Sequence, residues 1–237
     1  MDTLKINNNT VYCFVSDYVG TNMYLLIEKN HALIIDPHLS EDLIDFLRMQ
    51  NVSECTILLT HEHSDHTCGI PVLEKYFRIK VICQKNCADV ISSRVTNHPK
   101  LTLSMLAVQD YKNGTNNAEL FSKSFQEYEY QADITFDSDF EFFWYQHKFV
   151  FTFTPGHSKG GCCINWNDTV IFVGDSLLQI FPVITRLPGG SMKQYKDITL
   201  PFLKSLSKDL VVLPGHGPAF RMADMYQGAV HVEFTGI

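Results

Sequence analysis

Three histidines and an aspartate fall within six residues in the stretch His61-Glu62-His63-Ser64-Asp65-His66. Neutral imidazoles and carboxylates are ligands for zinc and similar divalent ions, and a catalytic set keeps one position open for water. With ten histidines in 237 residues, composition alone would produce this pattern roughly once in a thousand such chains. His61 and His63 are two apart, so in an extended segment both imidazoles leave the same side while Glu62 points away. Asp65 and His66 fall at the turn into a helix predicted over 67–77, where they face a second point in space. This arrangement points to two metal ions rather than one.

The elements that would position these residues are apolar strands ending in glycine and a ligand. The run 55–59 reads as a buried strand that stops where the polar cluster begins. Three later strands follow the same plan. Residues 148–154 lead into Pro155-Gly156-His157-Ser158, residues 169–173 into Gly174-Asp175, and residues 209–213 into Pro214-Gly215-His216-Gly217. Glycine beside a ligand lets the backbone turn sharply and approach a crowded site.

Taken together, HEHSDH at 61–66, TPGHSKGG at 154–161, GDS at 174–176 and PGHG at 214–217 resemble the metallo-β-lactamase-fold superfamily, from about residue 10 to about residue 220. The resemblance implies an α/β fold, an αββα four-layer sandwich of two mixed sheets packed face to face with helices outside. It implies that His61, His63 and His157 hold one metal, that Asp65, His66 and His216 hold the second, and that Asp175 bridges them. Asp36, in Leu33-Ile34-Ile35-Asp36-Pro37, matches the family's early strand-end aspartate, which orients a ligand histidine. His38 stands where the family often has glycine, and its role is open at this stage. A closed structural zinc site is disfavoured, because such sites use cysteines and none of the seven cysteines occupies a motif position.

The chemistry that such a site implies is hydrolysis. Water held between two divalent cations loses a proton near neutral pH, giving a metal-bridging hydroxide, while the metals polarise the group under attack. Two dications less the charges of Asp65, Asp175 and the hydroxide leave the site near +1, which welcomes a small anionic substrate or a developing oxyanion. Asp65 is the candidate catalytic residue, accepting a hydrogen bond from the nucleophile. Within the family, the bridging aspartate argues against antibiotic hydrolysis. The twenty residues after Gly217 are fewer than the helical carboxy-terminal region of glyoxalase II-like thioesterases. Leu178 stands where quorum-signal lactonases place a tyrosine. The reading is a metallohydrolase of the glyoxalase II-like branch that cleaves a thioester, lactone or phosphoester with two divalent ions, Zn2+ first and Mn2+ or Fe2+ as alternatives. The alternatives are a mononuclear iron oxidoreductase like the persulfide dioxygenases, comparable in Gly174-Asp175-Ser176-Leu177-Leu178, and a non-catalytic metal-binding member of the fold.

Composition fits a soluble enzyme of one domain over 1–237, with 45% apolar residues. The net charge of −7 and scattered cations argue against a nucleic-acid surface. No apolar leader or membrane-length stretch is seen, and the seven cysteines lack paired spacing, so a cytoplasmic location with reduced thiols is expected. Cys162-Cys163 reads as core, and Cys83 and Cys87 as neighbours on adjacent helical turns. The lone histidines His31, His98, His147 and His231 read as surface or hydrogen-bonded residues.

The first third reads as antiparallel strands over 11–15, 22–27 and 32–35, followed by a helix opened by Ser40 as a cap. A strand over 79–83 follows the helix after the metal motif. Residues 84–139 form a longer connection than the fold requires, with helices over 85–94 and 101–109, a polar turn at 112–117 and a further helical stretch. Its aromatics Phe121, Phe125, Tyr128 and Tyr130 either border the site, as such inserts often do, or pack the insert and make a homodimer contact.

Overall fold

The computed structural model describes residues 1–180 and 182–226, so His231 lies outside the described residues. Two compact units are formed, one of Met1–Leu59, His63–Ile82 and Ala88–Ile134, the other of Thr60–Glu62, Cys83–Cys87 and the chain from Thr135 on. The HEHSDH stretch is therefore shared out, with His61 and Glu62 in the second unit and His63, Asp65 and His66 in the first.

The first unit opens with four antiparallel strands, β1 (Asp2–Ile6), β2 (Asn9–Val15), β3 (Asn22–Glu28) and β4 (His31–Ile35). Helix α1 (Glu41–Met49) carries the chain to β5 (Glu54–Leu58), parallel to β4. Two short helices, α2 (Ser64–Thr67) and α3 (Ile70–Tyr76), lead to β6 (Arg78–Gln84), parallel to β5. The connection that follows contains α4 (Lys85–Ile91), α5 (Lys100–Asn113) and α6 (Asn117–Ser124), and β7 (Ile134–Phe136) completes a seven-stranded sheet in the order β1 to β7. Apart from their first residues, β4 and β5 are buried on both faces, which explains their unbroken apolar runs. Because they are parallel, with Ile35 opposite Leu58, the chain leaves both at the same end. Asp36 turns there with φ 54°, its N–H donating to Leu58 O.

The second unit carries β8 (Phe140–Trp144), β9 (His147–Phe153), β10 (Cys162–Trp166) and β11 (Val170–Gly174), all antiparallel. Helix α7 (Met192–Gln194), a π-helical turn over Tyr195–Thr199 and α8 (Leu200–Ser205) lead to β12 (Val211–Pro214), which runs parallel to β11. Strand β13 (Phe220–Arg221) and α9 (Met222–Tyr226) follow, and β13 to β8 form a six-stranded sheet. Its core joins Cys163, Ile171, Val173, Val212 and Phe220 of the sheet to Tyr195 and Leu203. Both sheets are mixed, as the α/β reading requires.

The structure differs from the sequence reading at several elements. Strand β1, which was not predicted, pairs along its whole length with β2 although only Ile6 is buried, so it carries little apolar pattern. The helix expected over 67–77 is broken into α2 and α3. Gly69 lies so close to the Pro37–His38 backbone that a β-carbon would come within 2.7 Å of His38 O, and Pro71 then opens α3. Ser40 occupies the N-cap position of α1 without a side-chain capping hydrogen bond. Cys83 is in β6 and Cys87 in α4, not on two turns of one helix. Helix α5 runs past residue 109 to Asn113, where left-handed Gly114 ends it, and Asp110 accepts hydrogen bonds from the N–H groups of Asn117 and Ala118 that open α6. Phe121 is buried with Cys68 and Leu106 against Tyr18, Val19 and Leu39, so this aromatic packs the insert onto the first unit. Among the described residues, no helix is long and apolar enough to cross a membrane.

All seven cysteines are free and buried, and burial pushes Cys13, Cys55, Cys68 and Cys163 up to about 12. Because the thiolate is the reactive form, a thiol reagent at pH 8 should modify none of the seven rapidly in the native protein and all of them in guanidinium, as read by absorbance.

Candidate metal centre

In the first unit the ligand candidates sit on α2, a helix of one turn whose residues are all buried. His66 is fully buried, and its Nδ1 donates to Asp36 Oδ2 at 3.1 Å. That bond selects the tautomer with its lone pair on Nε2, which lies 3.6 Å from Asp65 Oδ2. Asp65 is held from both sides. Thr21 Oγ1 donates to Oδ2 at 3.0 Å, and Thr102 Oγ1 to Oδ1 at 3.4 Å, with Ser64 Oγ 2.8 Å from Thr102 Oγ1. Thr102 is on α5, so the long connection reaches Asp65 through a threonine. His63 takes the N-cap position of α2 in extended conformation.

In the second unit His61, His157, Asp175 and His216 come together. His61 is buried, with Nδ1 2.9 Å from Thr60 Oγ1, and its ring meets that of His157 edge-on at a centroid distance of 5.1 Å. A ligand nitrogen of each lies within 4.8 Å of the other's. His157 Nδ1 donates to Ile184 O at 2.8 Å, which leaves its lone pair on Nε2. Asp175 Oδ2 is 3.5 Å from His157 Nε2 and 3.6 Å from His216 Nε2. These separations are longer than good hydrogen bonds. They match the ~3.4 Å between two donors on one tetrahedral ion with bonds of about 2.1 Å. One carboxylate oxygen is thus set at that spacing from two imidazole nitrogens, and the donor set of nitrogen and oxygen fits a borderline divalent ion.

The backbone around these side chains explains the glycines. Gly174, with φ 49°, turns β11 into Asp175, and its carbonyl accepts from Gly215 N at 2.7 Å. The π-helical turn buttresses two ligand loops at once. Tyr195 Oη donates to Ser176 O at 2.7 Å, Thr199 Oγ1 donates to Pro155 O at 2.6 Å, and the Tyr195 backbone abuts Gly156. Sequence reasoning missed Thr21, Thr102, Tyr195 and Thr199, because single polar residues far apart in the chain carry no spacing signal. Glu62 is buried, its carboxylate taken up by the loop after His157.

His38 has a structural role. Its Nδ1 lies 2.9 Å from Leu39 O and its Nε2 3.0 Å from Phe14 O, tying β2 to the Asp36 turn, and burial lowers its pKa. His31 pairs with Thr56 Oγ1, His98 accepts from Lys100 N, and His147 accepts from Trp166 Nε1.

A family model described as the metallo-beta-lactamase superfamily matches residues 17–216. The chain belongs to the metallo-beta-lactamase superfamily. That match takes in residues of both units, including every candidate ligand. The probable metallo-hydrolase YqgX of Bacillus subtilis (strain 168) is 25% identical over 202 residues, covering 84% of this chain and 86% of the relative. A hydroxyacylglutathione hydrolase of Francisella tularensis subsp. tularensis (strain WY96-3418) is 35% identical over 69 residues, 29% of this chain and 27% of that protein. The chain thus spans about a quarter of the length of the hydroxyacylglutathione hydrolases it matches. Among solved structures, the BLEG-1 B3 metallo-beta-lactamase superposes with a TM-score of 0.70 at 24% identity, covering 91% of this chain and 96% of that one, a likeness of fold.

A β-carbon at Gly174 would overlap Thr60 Oγ1 and lie 2.9 Å from Thr60 Cβ, in a left-handed conformation. Gly174→Ala is therefore expected to cost about 2–4 kcal/mol, strain plus overlap, measured by urea denaturation.

Proposed function

We propose that this superfamily member is a metal-dependent hydrolase of the glyoxalase II-like branch, cleaving an ester-like bond (thioester, lactone or phosphoester) in a small anionic substrate. The observation that carries the reading is Asp175 Oδ2, set within 3.6 Å of both His157 Nε2 and His216 Nε2, an arrangement with a purpose if the carboxylate bridges two ions. His61, His63 and His157 would hold one divalent ion, and Asp65, His66 and His216 the other, zinc being the first candidate. The names of the two relatives, a probable metallo-hydrolase and a hydroxyacylglutathione hydrolase, support the same class.

When bound, the ions would supply Lewis acidity toward the scissile group and would acidify water near neutral pH. The chain's own residues do the rest. Asp65 is held in position by the Thr21 and Thr102 hydroxyls, and one of its oxygens would accept a hydrogen bond from the attacking water, fixing the direction of attack. His66 and His157 are locked by Asp36 and the Ile184 carbonyl in the tautomer that presents Nε2. Five imidazoles and one carboxylate among the ligands besides Asp175 would leave the loaded site with excess positive charge, which supports an anionic substrate.

Elemental analysis followed by an ester, thioester and phosphoester screen tests this reading. About two zinc or manganese ions per chain, with turnover lost on chelation and restored by metal, is the expected result. A single iron with oxygen uptake would replace hydrolysis with oxidation. Asp65→Ala is expected to lower kcat by about 10²-fold or more; a variant keeping both metals and full activity removes Asp65 from the mechanism.

A further inference from the structure

Glu62 stands between His61 and His63 in the chain, and its carboxylate lies in the second unit, 7% exposed. Three consecutive residues after His157 turn their donors onto it. Ser158 Oγ donates to Oε2 at 3.1 Å and Lys159 N to Oε1 at 2.9 Å, while Gly160 N is shared between Oε1 at 3.2 Å and Oε2 at 3.0 Å. Successive main-chain N–H groups converging on one anion form a nest, and charge-assisted bonds of this kind are stronger than neutral ones. The loop can close this tightly only on glycine. A β-carbon at Gly160 would lie 2.7 Å from Glu62 Oε2 and overlap Cys87 N.

The position of this clamp gives it a role beyond filling a cavity. Glu62 follows His61 directly, and its donors follow His157 directly, so this carboxylate ties the two histidine segments together beside the backbone bond from Cys162 N to Thr60 O. The Ile184 carbonyl fixes the rotation of the His157 ring, but it does not fix the distance of the His157 backbone from His61. Asp175 and His216 are anchored separately, through Gly174 and Gly215. We infer that Glu62 is a positioning residue which, by holding the 158–160 loop through its main chain, preorganises His61 and His157 as a pair of ligands for one metal ion and leaves the other ion's ligands untouched. This rests on the dinuclear reading above, through the assignment of His61 and His157 to the same ion.

The test uses Glu62→Gln, which keeps the size of the side chain but presents an amide to donors that need an acceptor. Two readouts are made on the full chain. In the metal-free protein, hydrogen exchange at the Lys159 and Gly160 amides is expected to accelerate at least ~10-fold, with the β3 amides unchanged. In a zinc titration followed by calorimetry, the affinity for one of two ions is expected to fall about 10–100-fold while the other stays within about threefold. Equal weakening of both ions, or unchanged binding of both, overturns the inference. Should Glu62→Gln fail to fold, Ser158→Ala removes a single donor. It should weaken the same ion by about two- to fivefold, and an unchanged titration then overturns the inference. A wild-type protein that takes up no metal sinks the dinuclear reading and the positioning role with it, while normal two-ion binding with unaltered variants sinks only the latter.

Discussion

A carboxylate oxygen held 3.5 and 3.6 Å from two imidazole nitrogens is the contact around which the second unit is arranged. Asp175 reaches it because β11 ends at a glycine that adopts a left-handed turn no side chain would enter cheaply. His216 reaches it because β12 runs parallel to β11, so that both chains leave the sheet at the same end, the usual place for function in such sheets. His157 arrives from the end of β9 through a loop whose own glycines let it approach Tyr195 and Glu62. Three strand ends are thus brought to one carboxylate by backbone geometry, before any side chain is considered.

The candidate ligand histidines with a visible second contact share one physical plan. Their Nδ1 atoms are engaged by Thr60, Asp36 or the Ile184 carbonyl, so the rings are oriented, and for His66 and His157 the tautomer is set, by groups that are themselves fixed. Burying these rings costs solvation, and it is offset by hydrogen bonds that leave Nε2 toward the place where charge is wanted. Asp65 is treated likewise, its two oxygens steadied by hydroxyls from opposite ends of the first unit's sequence.

The parts of this arrangement that repeat a local rule were legible in the sequence. Strand, glycine, ligand is such a rule, and it located His157, Asp175 and His216 together with the parallel strands β5 and β12 that precede the motifs. The mixed α/β sheets were implied by the family resemblance that those motifs carry, and the alternation of elements was compatible with it. What escaped were features without a local signature. Strand β1 is held mainly by its ladder with β2, so its side chains alternate weakly. The break between α2 and α3 depends on the Pro37–His38 backbone, thirty residues upstream, pressing on Gly69. Thr102 looked like any polar helical residue, and the long connection drew attention for its aromatics, whereas Phe121 is core and the threonine touches Asp65. The burial of Glu62 had no local signature either, since only the tertiary fold brings three donors to it.

The π-helical turn has a consequence for how this scaffold can vary. Its Tyr195 hydroxyl ties down the chain at Ser176, and Ser191 just ahead of it is tied to Gly156, so two posts hold the ends of the stretch between them. Among the described residues of that stretch, Leu177, Leu178, Val183 and Thr185 are buried, while Ile180, Arg186 and Pro188 are exposed. Its bond to His157 comes from the carbonyl of residue 184, which any amino acid supplies equally well. Descendants of this chain can therefore rewrite the exposed letters of the stretch, and so the surface beside the histidine, without disturbing the groups that hold it in place.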